Sequence, residues 1–66
     1  MIIELNGRPH ELSDPTTIEA LIVAAAGTAR GSAVVVDDEV VPRSDWPVRL
    51  LAGGERVELI TAVQGG

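Results

Sequence analysis

One segment of the chain has the periodicity of a helix, and strand signals lie on both sides of it. Four apolar residues follow the i, i+3, i+4, i+7 spacing of a single helical stripe: Ile18, Leu21, Ile22 and Ala25. Thr16 to Glu19 predicts a capping box with Thr16 as the N-cap, and Gly27 is placed to end the helix. A helix of only about ten residues is marginal by itself in water. It must therefore pack on a sheet, which favours folds that combine helix and strand.

The first twelve residues predict a β-hairpin. Asn6-Gly7 is the strongest short-range signal for one, because a type I′ turn needs positive φ at both central residues. A two-residue turn there sets the pairing as Leu5 with Arg8, Ile3 with His10 and Met1 with Leu12. Pro9 has no N–H to donate, so we expect the second strand at an edge of the sheet. His10, beside Ile3 in this register, is predicted to pack at the rim of the core rather than to catalyse.

The second half of the chain contains further strand signals. The β-branched run at residues 33–36 predicts a well-buried strand, Asp37-Asp38 predicts a turn, and Val40-Val41 resumes extended structure. Alternation around Val57 and Leu59 predicts the last strand. The order strand, strand, helix, strand, short strand, strand predicts an α+β domain over residues 1–60. We expect a β-grasp fold: a mixed sheet whose first and last strands run parallel in the middle, with one main helix on one face.

Composition excludes several classes of function. The chain of 66 residues is 45% hydrophobic and forms one small domain, whose core leaves no room for the deep cleft of a self-contained enzyme. The absence of cysteine excludes a disulfide framework, a thiolate zinc site and a cysteine nucleophile. A net charge of −5, with no lysine, argues against nucleic acid and anionic membranes as partners. We find no signal peptide and no apolar run of roughly 20 residues, so a cytoplasmic protein is expected.

Two other features of the sequence bear on chemistry. The carboxylates of Asp37-Asp38-Glu39 lack the spacing of a calcium-binding loop, and adjacent carboxylates in a turn are usually solvated, so no metal site is predicted. Trp46, the only aromatic residue, is either a partner anchor or a cap on the core. Because the chain has so few large side chains, we favour the core.

The chain ends in Gly65-Gly66, six residues after the last predicted strand. Residues 61–66 show no periodicity and are predicted to form a flexible C-terminal tail. Six extended residues reach about 20 Å, and glycines without a Cβ keep the end slim. Such a tail could thread a narrow channel and present its carboxylate, ionised at neutral pH, to the α-phosphate of ATP on another protein. The plain alternative is a frayed terminus that happens to end in glycine.

These stretches together resemble the ThiS family, the ubiquitin-like sulfur carriers of thiamine thiazole synthesis. The resemblance covers the whole chain and rests on Asn6-Gly7, the Val-Pro-Arg…Trp stretch in residues 40–46, the last strand at 56–60 and the tail at 61–66. The Val-Pro-Arg…Trp stretch is more specific than the diglycine, which the molybdopterin carrier and ubiquitin share. One departure is the turn before the last strand, which reads Gly53-Gly54-Glu55 where such families often have an acidic-Gly-acidic turn.

The resemblance implies a protein co-substrate and not an enzyme. Gly66 would be adenylated by a ThiF-type activating enzyme using ATP and Mg²⁺ held on that partner, so the chain itself binds no cofactor. A sulfur donor of the cysteine desulfurase type would convert the acyl-adenylate to a thiocarboxylate on Gly66. The thiazole synthase ThiG would then accept the sulfur. Gly65, Gln64 and Val63 would thread into the active sites of these partners.

A docking surface is predicted on the face of the sheet that points away from the helix. If alternate residues of the first and last strands face the helix, then Ile2, Glu58 and Ile60 face outward. We expect Ile2 and Ile60 to form an apolar patch on neighbouring strands at the base of the tail, where a partner would dock. Ordinary scattered exposure is the plain alternative.

Three other functions stay open at this point. The first is the same chemistry in another pathway, such as molybdopterin or amino-acid sulfuration. Ala62-Val63-Gln64 before the diglycine favours thiazole synthesis over it. The second is a noncovalent β-grasp interaction module whose tail is inert. The third is a ubiquitin-like modifier that becomes attached to lysines of target proteins.

Overall fold

The computed structural model describes residues 1–61 of the chain. Its strands are β1 (Ile2–Leu5), β2 (Arg8–Glu11), β3 (Ser32–Val36), β4 (Glu39–Val40) and β5 (Arg56–Thr61). Helix α1 spans Ile18–Ala26, and a short 3₁₀ helix spans Arg43–Asp45. The predicted order of elements is confirmed, although β5 continues one residue past the predicted domain boundary at residue 60. Within residues 1–61 we find no helical segment that could span a lipid bilayer.

The strands form one mixed sheet in the order β2-β1-β5-β3-β4. β1 and β5 run parallel, whereas β1 with β2, β3 with β4, and β3 with β5 are antiparallel. β5 therefore lies in the centre, and Pro9 belongs to the edge strand β2, as predicted. Helix α1 packs on one face of this sheet. The architecture is the predicted β-grasp fold.

Both hairpins turn through two residues with positive φ. Asn6 and Gly7 have φ values of 50° and 83°, and Asp37 and Asp38 have values of 49° and 70°. These left-handed conformations are the ones that a type I′ turn requires. The predicted register of the first hairpin is confirmed, with Ile3 opposite His10, Leu5 opposite Arg8, and backbone hydrogen bonds that join Met1 to Leu12.

The core lies between α1 and the inner face of the sheet. Nine side chains are buried there: Ile3, Ile18, Leu21, Ile22, Val34, Val36, Trp46, Leu51 and Val57. Full burial of one such aliphatic side chain contributes about 1.5–3 kcal/mol. Among residues 1–61 no polar or charged residue is buried. Apolar packing, rather than buried ion pairs, therefore stabilises the domain.

Trp46 is part of this core and not a surface anchor. Its side chain is only 2% exposed, and its Nε1 donates a hydrogen bond to the Val41 carbonyl at 3.0 Å. The guanidinium of Arg43 lies 5.2 Å from the centre of the indole ring and covers it from outside. The predicted structural role of Trp46 is confirmed.

The start of α1 differs from the predicted capping box. The N-cap is Thr17, whose Oγ1 accepts a hydrogen bond from the Ala20 N–H at 3.1 Å. Thr16 instead donates its hydroxyl to the Ser13 carbonyl. Thr17 is extended and bridges to Leu50, so the helix begins one residue later than predicted. With Thr17 as the N-cap, the third residue of the helix is Ala20, whereas a capping box needs Glu or Gln there. The helix therefore has a single N-cap hydrogen bond and no capping box.

Two further expectations about burial are wrong. His10 is exposed, as are the other residues of β2, an edge strand that contributes no side chain to the core. Ala25, the last residue of the predicted apolar stripe, is also exposed, whereas Ile18, Leu21 and Ile22 are buried. The helix then ends as predicted at Gly27, whose φ of 81° is left-handed.

Glu55 closes the turn that leads into β5. Its carboxylate accepts the Ala52 N–H at 2.6 Å and pairs with the Arg49 guanidinium through contacts of 3.2 and 3.0 Å. The hydrogen bond from Arg49 and the backbone bond from Ala52 hold the pKa of Glu55 below its usual value. The Gly53-Gly54-Glu55 sequence therefore still forms a closed turn, with its acid at the third position.

We predict that Thr17→Ala lowers the free energy of unfolding by about 1 kcal/mol, because it removes the N-cap acceptor of α1. Thr17→Ser keeps that acceptor and should recover most of the loss. Thr16→Ala is the matched control and should cost less. Chemical denaturation of the three variants measures this, and a larger cost for Thr16→Ala would contradict the N-cap assignment.

The Glu55 pair predicts a pH dependence of stability. The folded pKa is lowered, so ionised Glu55 stabilises the domain above the unfolded value of about 4.5, and this contribution is lost as pH falls through the folded pKa. Glu55→Gln should lower the free energy of unfolding by about 1 kcal/mol at pH 7, and the difference should shrink below pH 4.5. The exposed Glu11→Gln is the control. A pH-independent difference for Glu55→Gln would contradict the pairing.

Candidate functional site at the root of the tail

β5 is the central strand of the sheet and the last element of the part of the chain that the structure describes. Thr61, the last residue of β5, is exposed. The predicted reactive residue Gly66 and the predicted threading residues Gly65, Gln64 and Val63 lie outside the described residues, so their roles stay predictions. The structure does define the segment from which the tail departs, residues 59–61, which we call the tail root.

The turn of the first hairpin holds the tail root on one side. The Asn6 backbone N–H donates to the Val57 carbonyl at 2.9 Å. The Asn6 side chain accepts the Leu59 N–H at 2.8 Å and donates to the Leu59 carbonyl at 3.3 Å. The sequence predicts Asn6 only as a turn residue, but its side chain also hydrogen-bonds the backbone of β5.

The turn of the second hairpin holds the other end of β5. Asp37 accepts the Arg56 N–H at 2.9 Å through Oδ1 and donates its own N–H to the Arg56 carbonyl at 2.8 Å. Asp38 contacts the Arg56 guanidinium at 2.8 Å. Within residues 1–61 no group of three or more His, Cys, Asp or Glu side chains is arranged to hold a metal ion. The two aspartates of the turn thus bind Arg56.

The predicted docking residues are exposed, but they do not form one patch. Ile2 on β1 is 58% exposed, and Ile60 on β5 is 54% exposed. Glu58, two residues before Ile60 on β5, is also exposed. The Gly54 N–H donates to the Ile2 carbonyl at 2.8 Å, which places Ile2 beside the start of β5. Ile60 lies six residues farther along, about 20 Å at 3.3 Å per residue. The expected juxtaposition is wrong because parallel strands begin at the same end of the sheet.

The apolar neighbours of Ile60 come from β3 and β4 instead. Ala33 lies opposite Ile60, Val35 opposite Glu58, and Val40 opposite Val35. Because Val34 and Val36 point into the core, Ala33 and Val35 point to the outer face of the sheet. We call this surface the tail-root patch; it consists of Ala33, Val35, Val40 and Ile60.

Sequence reasoning missed most of the tail-root patch. It interpreted the apolar run at residues 33–36 as a well-buried strand, and it left Val40 without a role. Val40 is in fact 74% exposed. The missed signal is the count of helices: one helix of about ten residues covers only one face of a sheet, so every second apolar residue of β3 must face outward.

A shallow groove of about 370 Å³ lies on the opposite side of the tail root, between the end of α1 and the inner face of the sheet. Its lining comprises Leu5, Asn6, Ala25, Ala26, Leu59 and Thr61. None of these side chains titrates near neutral pH. The groove therefore supplies neither an acid nor a base to the tail root.

Known structures with the same fold support this description. The chain is similar to the crystal structure of thiamine biosynthesis protein ThiS from Geobacter metallireducens, with 23% identity, a TM-score of 0.82 and full coverage of both chains. The NMR solution structure of a thiamine biosynthesis protein from the same organism also matches, with 23% identity, a TM-score of 0.82, and coverage of 100% of this chain and 88% of that one. At this identity the likeness establishes the shared fold. No curated protein gave a match.

The sequence itself carries the assignment to a family. The model of the ThiS family matches residues 3–66. The match includes the β-grasp body, the tail root and the diglycine end. It covers all but the first two residues, far more than half of the chain, and so the chain belongs to the ThiS family.

Proposed function

We propose that the chain is a cytoplasmic sulfur carrier for thiamine thiazole biosynthesis, and that the carboxylate of Gly66 is where sulfur becomes attached. The observation that carries the proposal is the ThiS family match over residues 3–66, which extends through the diglycine end. Family membership supports the sulfur-carrier role. The described body fits that role, because it is a small packed domain whose central strand leads directly to the tail.

The chemistry requires no catalytic group on the carrier. A carboxylate oxygen of Gly66 attacks the α-phosphorus of ATP on a ThiF-type enzyme, and pyrophosphate leaves. The ATP and its Mg²⁺ are held by that enzyme and not by the carrier. The terminal sulfur of a persulfide, supplied by a donor of the cysteine desulfurase type, then attacks the acyl carbon, and AMP leaves. A thiol reductant cleaves the resulting acyl disulfide, which releases the thiocarboxylate and the thiol of the donor. The thiazole synthase ThiG receives this sulfur. The chain has no cysteine, so its terminal carbonyl is the natural point of attachment.

The tail provides reach, and we propose that Val63, Gln64 and Gly65 thread into the partner sites. Five residues follow Thr61. Fully extended, they span at most about 17 Å. Glycine at the last two positions presents no side chain to the walls of a channel. The reacting carboxylate can thus enter a buried site while the folded body stays outside.

The tail-root patch, with Glu58 beside it, is the surface we propose for docking on the activating enzyme. Ile60 and Val40 are more than half exposed and lie on the same face as Glu58. Apolar residues flanked by charge are typical of protein-binding surfaces. A partner bound here would sit next to the point where the tail departs. Ile2, at the far end of β1, is outside this surface.

We predict that deletion of Gly66, or addition of one residue after it, abolishes sulfur loading and leaves the fold intact. One extra residue moves the carboxylate by about 3.5 Å, which is enough to misplace it against the α-phosphate. The chain is incubated with a ThiF-type enzyme, Mg-ATP, a cysteine desulfurase, cysteine and a thiol reductant, and its intact mass is measured. Replacement of one oxygen by sulfur identifies the thiocarboxylate.

The exposed substitution Ala24→Ser on α1 is the control and should load like the wild type. Loading of the extended chain would contradict the assignment of the terminal carboxylate. A wild-type chain that binds the activating enzyme but gains no mass would indicate a noncovalent module. Isopeptide conjugates with lysines would indicate a modifier.

We predict that Ile60→Asp raises the KM of the activating enzyme for the chain about tenfold, because it places a charge within the apolar docking surface, next to the tail. Ile2→Asp is the matched control: Ile2 is equally exposed on the same outer face but lies at the other end of the sheet. It should change KM by less than about twofold. Equal effects of the two substitutions at equal melting temperature would contradict the placement of the docking surface.

A further inference from the structure

The last part of β5 extends past the end of β1. The parallel register pairs Glu4 with Arg56 and Leu5 with Val57, after which the chain turns into the first hairpin. Leu59 therefore has no β1 residue opposite it. The N–H and the carbonyl of Leu59 on this side of β5 therefore need hydrogen-bond partners other than a β1 residue.

The side chain of Asn6 supplies both partners. The Leu59 N–H donates to Oδ1 of Asn6 at 2.8 Å, and Nδ2 of Asn6 donates to the Leu59 carbonyl at 3.3 Å. A carboxamide has one acceptor and one donor at its end, as a peptide group does, so it can replace the missing strand residue. We call these two hydrogen bonds the amide clamp. It lies two residues before Thr61 and seven before Gly66.

The turn by itself does not require asparagine at this position. Asn6 has a φ of 50°, which glycine adopts without steric cost. Gly-Gly is also a favoured pair for a type I′ turn. Asparagine differs from glycine here in having the carboxamide that forms the amide clamp.

We infer that Asn6 is a positioning residue for the reactive tail. The amide clamp holds the backbone of Leu59, so the chain leaves the sheet in one direction towards the partner sites. A tail that departs in a fixed direction has less conformational freedom to lose when it threads a channel. The inference rests on the proposed function, since it assumes that residues 62–66 enter those sites.

Asp37 provides a matched control within the same strand. It occupies the equivalent turn position of the second hairpin, with a φ of 49°, and its side chain accepts the Arg56 N–H at 2.9 Å. Asp37→Gly therefore also removes a side-chain contact to the backbone of β5 from a left-handed position. It does so at the end of the strand that is farther from the tail.

The test uses Asn6→Gly, Asn6→Asp and Asp37→Gly in the full chain, at a temperature where all variants are folded. In the free protein, the exchange rate of the Leu59 amide hydrogen, followed by NMR, reports whether the amide clamp is formed. The kcat/KM for sulfur loading by the activating enzyme measures its consequence. Asn6→Gly should speed exchange of the Leu59 amide at least tenfold and lower kcat/KM about tenfold.

Asp37→Gly should leave the Leu59 amide and kcat/KM within about twofold of the wild type. Asn6→Asp keeps the acceptor for the Leu59 N–H and should recover part of both losses. A role in the turn alone predicts that Asn6→Gly changes neither quantity, and that result would overturn the inference. Faster exchange with unchanged loading would overturn it while leaving the proposed function intact. Failure of the wild type to load would overturn both.

Discussion

The parallel pairing of β1 with β5 is the constraint on which the rest of the structure depends. It places the first and last strands side by side in one sheet, where Ile3 and Val57 are buried under the helix. A parallel pair needs a crossover connection, and here that connection contains α1, the element that covers the core. β5 lies between β1 and β3, and β3 pairs with it as far as Thr61. Where β1 has ended, the Asn6 side chain bonds to Leu59, so the tail root is held from both sides at that residue. A strand at the edge of the sheet would give the tail a much less stable base.

The two faces of this sheet have different tasks. The inner face packs against a short helix, and nine apolar side chains are buried between them and the adjoining connection. The outer face carries Val40 and Ile60 in the open, beside the acidic Glu58. A third surface is the end of the sheet, where the side chain of Asn6 hydrogen-bonds the backbone of Leu59. We propose that a domain this small separates stability, docking and direction of the tail by using a different surface for each.

Local sequence signals predicted the elements well, whereas placement across the sheet needed the three-dimensional register. Asn6-Gly7 predicted the first turn because few residues tolerate positive φ, and the same rule set the hairpin register. The capping box was predicted with Thr16 as the N-cap, whereas Thr17 pairs with Leu50 in extended conformation and its side chain caps the helix. Ile2 and Ile60 were expected together because their strands were predicted to be neighbours. The predicted parallel direction, combined with the observed register, puts Ile2 beside Gly54 and Ile60 at the other end of the sheet. The second role of Asn6 depends on where β1 ends relative to β5, which no pattern within one segment contains.

We propose that the backbone terminus is the reactive group and that the folded body serves to present it. Tandem mass spectrometry of the sulfur-loaded wild-type chain provides the sharpest test, because fragment ions locate the added sulfur along the sequence. We expect every fragment that contains Gly66 to carry the mass change of oxygen replaced by sulfur, and fragments that end before Gly66 to carry none. Sulfur found on any side chain of the body, with an unmodified terminal carboxylate, would contradict it.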